Sequence, residues 1–198
     1  MKKETLLATL GCQPDHHRGV VNVPPHRAST ILFPTMAALE AAESKDIADV
    51  TYGRYGTPSS ASLESVIAAL EGVDHAIITS SGLSAIVTAL VAFLKAGDHL
   101  LMVDSVYGPT RRFCDNELKR FGVETTYYDP LIGAGIASLI KPNTKVVYIE
   151  SPGSLTFEVQ DIPAIAKEAH KKNAVVISDN TWGTLLYSKP FELGVDVS

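Results

Sequence analysis

The chain has 198 residues, of which 45% are hydrophobic and 20% charged, with 14 Gly and 11 Pro. That length makes one domain or a little more, large enough to bury a core, and the apolar fraction excludes a disordered or low-complexity chain. Seventeen Lys+Arg against 22 Asp+Glu leave a formal charge of −5, which argues against nucleic acid as a partner.

Two cysteines, Cys12 and Cys114, stand far apart with no CxxC and no His cluster. A disulfide framework and a metal site are not expected, and a reducing cytoplasm fits best. The N-terminal stretch is too short in apolar residues for a signal-peptide core. The longest apolar run, around Thr88, is about half a membrane span. The chain therefore reads as soluble and cytoplasmic, with no membrane partner.

Residues 1–34 have no period and carry His16, His17, Pro24, Pro25, His26 and Pro34. They read as an extended arm, ordered only if something such as another subunit holds it. A helix is expected from Thr35 through the alanine- and glutamate-rich stretch up to Asp46. A turn-rich segment, residues 52–60, follows, in which Thr57 and Pro58 form an N-cap and first-helical pair. Leu63, Val66, Ile67 and Leu70 then repeat at helical spacing, which predicts a helix with one buried face.

From there strands and helices alternate. Strands are expected over 75–79, 99–103, 123–128, 145–150 and 174–178. Helices are expected over 83–95, 109–120 and 162–171, the last capped by Asp161, with a helical turn near 136–140. Most of the strand cores are continuously apolar rather than alternating, as strands buried on both faces should be. Repeated β-α-β units of this length give an α/β fold with a mostly parallel sheet flanked by helices.

In such a sheet a ligand lies outside the carboxyl ends of the strands. Four successive strand ends deliver polar or aromatic groups: Ser80, Ser81, Gly82 and Leu83; Asp104, Ser105, Val106, Tyr107 and Gly108; Glu150 to Ser154; and Asp179 to Trp182. Ser80-Ser81-Gly82 opening a helix suits an anion as well as it suits a plain helix cap. Asp179, at the tip of an apolar strand, needs a cationic partner, several hydrogen bonds, or a capping role. Tyr107 lies in a polar loop, and Arg54 lies between two tyrosines in a Gly-rich one. No GxGxxG or GxxxxGK[ST] follows any strand. A phosphate site, an aromatic platform and an acid together suit pyridoxal phosphate, whose ring nitrogen must stay protonated.

These residues resemble the Cys/Met-metabolism family of pyridoxal-phosphate enzymes. The resemblance rests on Tyr52 to Pro58, Ser81-Gly82, Gly97-Asp98-His99, Asp104 to Tyr107, Glu150-Ser151-Pro152 and Asp179 to Trp182. Within the family, residues 150–158 and 191–198 are most similar to the branch that cleaves L-cystathionine by β-elimination. That reaction gives homocysteine, pyruvate and ammonia on the route to methionine. The γ-lyases and γ-synthase usually carry Asn-Pro where this chain has Ser154-Leu155, and they stand as the alternative. A nucleotide-dependent oxidoreductase of doubly wound fold is the alternative of another class.

The resemblance implies the aspartate-aminotransferase-like fold (fold type I) and pyridoxal 5'-phosphate as cofactor. It implies that Tyr52 and Arg54 reach the cofactor phosphate of a neighbouring subunit, while the Gly82 and Leu83 amides hold the phosphate of the chain's own cofactor. Tyr107 would stack on the ring and take part in catalysis, and Asp179 would pair with the ring nitrogen. A homo-oligomer follows, at least a dimer and by analogy a tetramer. Residues 1–58 would form an arm and helix against the neighbour, and residues 59–198 the first part of the large cofactor domain. The family's Schiff-base lysine comes a few residues after the segment matching Gly194–Ser198, so the chain is expected to be the first part of a longer one.

Overall fold

The computed structural model describes residues 2–12, 14–43 and 51–198. They form two compact units, Met1–Ile78 and Thr79–Ser198. The second unit is the parallel α/β layer that the alternation of strands and helices predicts.

In the first unit, residues 1–34 depart from the expected extended arm. A short helix, α1 (Lys3–Thr9), is followed by a 3-10 turn at Pro14–His17. The Leu10 N–H closes α1 on the Leu6 carbonyl at 2.8 Å, and Thr9 Oγ1 donates to the Thr5 carbonyl at 2.8 Å. The rest of the arm is extended and is held by its own chain. The His26 N–H donates to Ser59 Oγ at 2.8 Å, Ser59 Oγ donates to the Pro24 carbonyl, and Thr30 bridges Tyr52 in antiparallel fashion. Gly53 makes this contact possible: a Cβ there would run into the Ala28 carbonyl, while its N–H donates to Ser29 O at 2.6 Å.

Helix α2 covers Met36–Glu43, and the expected continuation to Asp46 lies outside the described residues. Helix α3 (Pro58–Glu71) starts where Thr57 and Pro58 predict. Thr57 and Ser60 exchange side-chain and backbone bonds in a capping box, and Gly72 closes the helix at φ +76°. Its apolar face is only partly covered within the unit; Ala68 is buried and Leu63 is half exposed.

The strand expected at 75–79 does not form. Ile77 is 81% exposed, and the Ile78 N–H is taken by Glu64 Oε1 at 2.9 Å rather than by a neighbouring strand. β-Propensity without an edge to pair with leaves an extended loop.

The second unit begins with α4 (Gly82–Phe93), capped by Ser81 Oγ accepting from the Ser84 N–H. Four parallel strands follow: β1 (His99–Val103), β2 (Glu124–Tyr128), β3 (Thr144–Glu150) and β4 (Val175–Asp179), in spatial order β2-β1-β3-β4. The helices between them are α5 (Gly108–Phe113), which runs on as a π-helical turn over Cys114–Leu118, and α6 (Ile162–His170), capped by Asp161. A 3-10 turn occupies Gly133–Ser138; the short α7 (Thr184–Tyr187) and a 3-10 turn at Pro190–Leu193 are additional to the expected elements.

β1 is buried throughout, and all of β3 except Lys145 is buried. Leu100, Leu101, Met102, Val103, Val146, Val147 and Ile149 have no exposed surface. β2, a more polar strand, takes one edge. At the other, residues 195–197 run beside β4, where Ser178 N donates to Val197 O. Among the described residues no helix is long and apolar enough to cross a membrane.

Candidate functional site

Strand order fixes where the site lies. β1 has β2 on one side and β3 on the other, so the direction of winding reverses between β1 and β3, and a crevice opens there at the carboxyl edge. The two loops that leave this point are stitched together. Ser154 N donates to Ser105 O at 2.8 Å, and Tyr107 N donates to Glu150 Oε2 at 2.8 Å. Gly153 is required by the closeness of these loops, since a Cβ there would collide with the Ser105 side chain.

β3 and β4 end together. Glu150 and Asp179 are register partners, as are Tyr148 and Ile177. Partners in register share a face, and alternation along β3 puts Tyr148 on that same face. Asp179 is partly exposed, and its Oδ1 accepts from the Thr181 N–H at 2.9 Å. Glu150 is 5% exposed. Its carboxyl is pushed up to about 7, by burial first and the neighbouring Asp179 charge second, against the lowering effect of the Tyr107 N–H. Tyr148 is 1% exposed and its Oη has no partner among the described residues. Burial holds that phenol well above its usual range, with Asp179, Glu150 and Cys114 adding to the shift.

Tyr107 is 44% exposed and leads into α5. At the start of α4 the Gly82 and Leu83 N–H groups have no acceptor among the described residues, and a Cβ on Gly82 would meet nothing. Ser81, Gly82, Leu83, Tyr107 and Asp179 thus belong to one unit. Tyr52 and Arg54 belong to the other. There Tyr52 accepts a 3.2 Å bond from Ser29 Oγ, and the Arg54 guanidinium lies over the Tyr55 ring at 4.9 Å. Arg54 makes no ion pair among the described residues; one guanidinium nitrogen donates to the Tyr55 hydroxyl at 3.3 Å, and its other donors form a planar fork suited to an anion.

Two further residues enter the site that received no role from the sequence, Glu150 and Tyr148. The signal for Glu150 was there, an acid closing an apolar strand, and it is the same signal that singles out Asp179. Tyr148 reads as one more apolar strand residue until its hydroxyl is seen to lack a partner.

The groups at this edge suit pyridoxal phosphate: free amides at a helix start for an anion, a half-exposed aromatic residue, and a strand-tip carboxylate for a pyridinium. A parallel sheet flanked by helices, with this edge, defines the class of fold type I pyridoxal-phosphate enzymes. The Cys/Met metabolism PLP-dependent enzyme profile matches residues 4–198, and the chain belongs to that family.

A putative cystathionine beta-lyase of Rhizobium johnstonii is 51% identical over 194 residues, covering 98% of this chain and 48% of the relative. An L-alanine/L-glutamate racemase of Wolbachia pipientis is 41% identical over 208 residues, covering 100% of this chain and 51% of the relative. The crystal structure of cystathionine gamma-lyase from Lactobacillus plantarum complexed with L-serine superposes with a TM-score of 0.89 at 35% identity, covering 100% of this chain and 49% of that one. The chain spans about half the length of the curated relatives it matches. The oxidoreductase alternative finds no support in this family assignment.

Proposed function

We propose that this chain carries the cofactor-binding portion of an enzyme that cleaves L-cystathionine by β-elimination to homocysteine, pyruvate and ammonia. The observation that carries the reading is the strand-tip acid Asp179 on the same carboxyl edge as Tyr107. The identity to relatives named as cystathionine β-lyases supports the choice of substrate. When bound, pyridoxal phosphate supplies an electron sink for a carbanion at the substrate Cα.

The residues of this chain do the rest. Gly82 and Leu83 donate their amides to the phosphate, aided by the dipole of a 12-residue helix. Tyr107 would stack its ring on the cofactor and take part in proton transfer. Asp179 holds a proton at the ring nitrogen. Tyr52 and Arg54 act on the phosphate bound by a neighbouring subunit, so the active unit is at least a dimer, with a tetramer and a cytoplasmic location as the fuller reading. Residues 1–58 serve that interface, and residues 59–198 open the large cofactor domain.

Ser154-Leu155, at the loop after β3, favour β- over γ-elimination. The experiment is product analysis of the complete enzyme with L-cystathionine. Homocysteine and pyruvate in equal amounts support the reading. Cysteine and 2-oxobutyrate would move the chain to the γ-lyases. Conversion of L-alanine to D-alanine without cleavage of cystathionine would move it beside the racemase relative.

A further inference from the structure

The carboxyl edge contains a carboxylate that the proposed reaction does not use. Glu150 is buried, stands at the point where the sheet reverses its winding, and is the register partner of Asp179. We propose that Glu150 is a positioning residue: by accepting the Tyr107 N–H it sets the ring of Tyr107 relative to Asp179 across the β1/β3 switch point. The Tyr107–Glu150 bond is independent of the proposed function; the consequence for the ligand rests on that reading.

The Tyr107 N–H could have been satisfied by a neutral carbonyl, as the neighbouring Asp104 N–H is by Tyr128 O. Instead the bond runs 2.8 Å to a carboxylate whose neighbour in the sheet is a second carboxylate. A buried carboxylate beside a second, partly exposed one is unfavourable in its charged form unless a cation joins them. Among the described residues none does. α4 contains no ionisable side chain, and Arg111 of α5 is engaged with Asp104 and lies over the Tyr127 ring at 3.8 Å.

The groups that face Glu150 are Asp179 on β4, the Tyr148 phenol on β3 with Cys114 of the π-helical turn beyond it, and the Tyr107 amide. The Gln160 amide donates to the Glu150 main-chain oxygen at 2.8 Å and leaves the carboxylate alone. A cationic ring placed against Asp179 would relieve the repulsion and favour ionised Glu150. Ionised Glu150 in turn grips the Tyr107 amide more tightly, because a charge-assisted bond is about twice as strong as a neutral one. Binding of a cationic ring and ordering of the Tyr107 loop are then coupled through one carboxylate.

The test uses the complete protein and two readouts. In the cofactor-free protein with 15N-tyrosine, assigned with Tyr107→Phe, the Tyr107 amide proton of the wild type should shift with pH and titrate near 7. In Glu150→Gln, which keeps the shape and an acceptor oxygen, that titration should vanish. In the holoenzyme, Glu150→Gln should retain pyridoxal phosphate but lose about tenfold in kcat at pH 8, with KM little changed, and lose the acid limb of the wild-type profile. Glu150→Ala, which has no acceptor, should be worse than Gln by a further severalfold. A Tyr107 amide that still titrates in Glu150→Gln overturns the proposal, as does a Gln profile that superposes on the wild type. Should the wild type fail to bind pyridoxal phosphate or to cleave cystathionine, the functional reading falls while the amide titration still decides the role of Glu150.

Discussion

Tyr128 and Tyr148 are both fully buried tyrosines of the same sheet, and replacing each by phenylalanine should have opposite effects. Tyr128 Oη donates to the Tyr148 main-chain oxygen at 2.9 Å and lies 3.0 Å from Gln160 Oε1. Tyr148 Oη has no partner among the described residues. A buried polar group without a partner costs about 1–3 kcal/mol, whereas a made hydrogen bond contributes about 1 kcal/mol and leaves its former partners unsatisfied when removed. Phenylalanine keeps the ring and its packing in both cases.

Tyr148→Phe should therefore stabilise the protein by about 1–3 kcal/mol, and Tyr128→Phe should destabilise it by a similar amount. The assay is urea unfolding of the cofactor-free complete protein, followed by circular dichroism at one fixed protein concentration, since association shifts the midpoint. At an unchanged slope of about 2 kcal/mol per molar, the two midpoints should move apart from the wild type by about 1 M each, in opposite directions. If Tyr148→Phe lowers the midpoint as far as Tyr128→Phe does, the Tyr148 hydroxyl has a partner and the orphan argument is wrong.

Three further outcomes are expected. Asp179→Asn should keep the cofactor but lose most activity, because a neutral amide cannot hold the ring nitrogen protonated where charge develops; turnover within about threefold of wild type, a difference under 1 kcal/mol, would remove the role given to Asp179. Arg54→Ala should weaken cofactor retention, and mixing Arg54→Ala with Asp179→Asn subunits should restore activity, since a mixed dimer with shared sites holds one site with both residues intact; mixed dimers, confirmed by mass, that stay inactive would contradict sharing. His99 is fully buried between Thr144 and Thr126, and burial, with Lys141, lowers its pKa. Its neutral form is the one the fold favours, so its contribution is present above the unfolded value of about 6.5 and is lost as pH falls through the lower folded value. The stability difference between wild type and His99→Gln, measured by denaturant titration, should shrink as pH falls below about 6.5 and stay flat above it.

The parallel sheet was legible because its central strands are apolar without alternation, which is what burial on both faces demands. Helix α3 was legible because Thr57-Pro58 is a local start signal needing no tertiary help. The 75–79 segment misled for the complementary reason: Ile77 and Ile78 have the composition of a strand, but a strand needs a neighbour, and composition does not report one. α1 was hidden by its shortness, with only Leu6 and Leu10 to mark a face. At the site, Asp179 and Tyr107 could be picked out as polar or aromatic groups after apolar strands. Glu150 carries the same mark, but its importance comes from the order β2-β1-β3-β4, which places it beside both, and no local pattern encodes that order. The missing partner of Tyr148 is likewise a property of packing.

The proposed function requires pyridoxal phosphate to lie at this edge with Asp179 on its ring nitrogen. A crystal structure of the complete enzyme with the cofactor bound tests that directly. It should have the phosphate on the Gly82 and Leu83 amides, the ring against Tyr107, and an Asp179 carboxylate oxygen within hydrogen-bond distance of the ring nitrogen, with Glu150 still accepting the Tyr107 amide. A cofactor bound elsewhere, or a ring nitrogen facing a group other than Asp179, would contradict it.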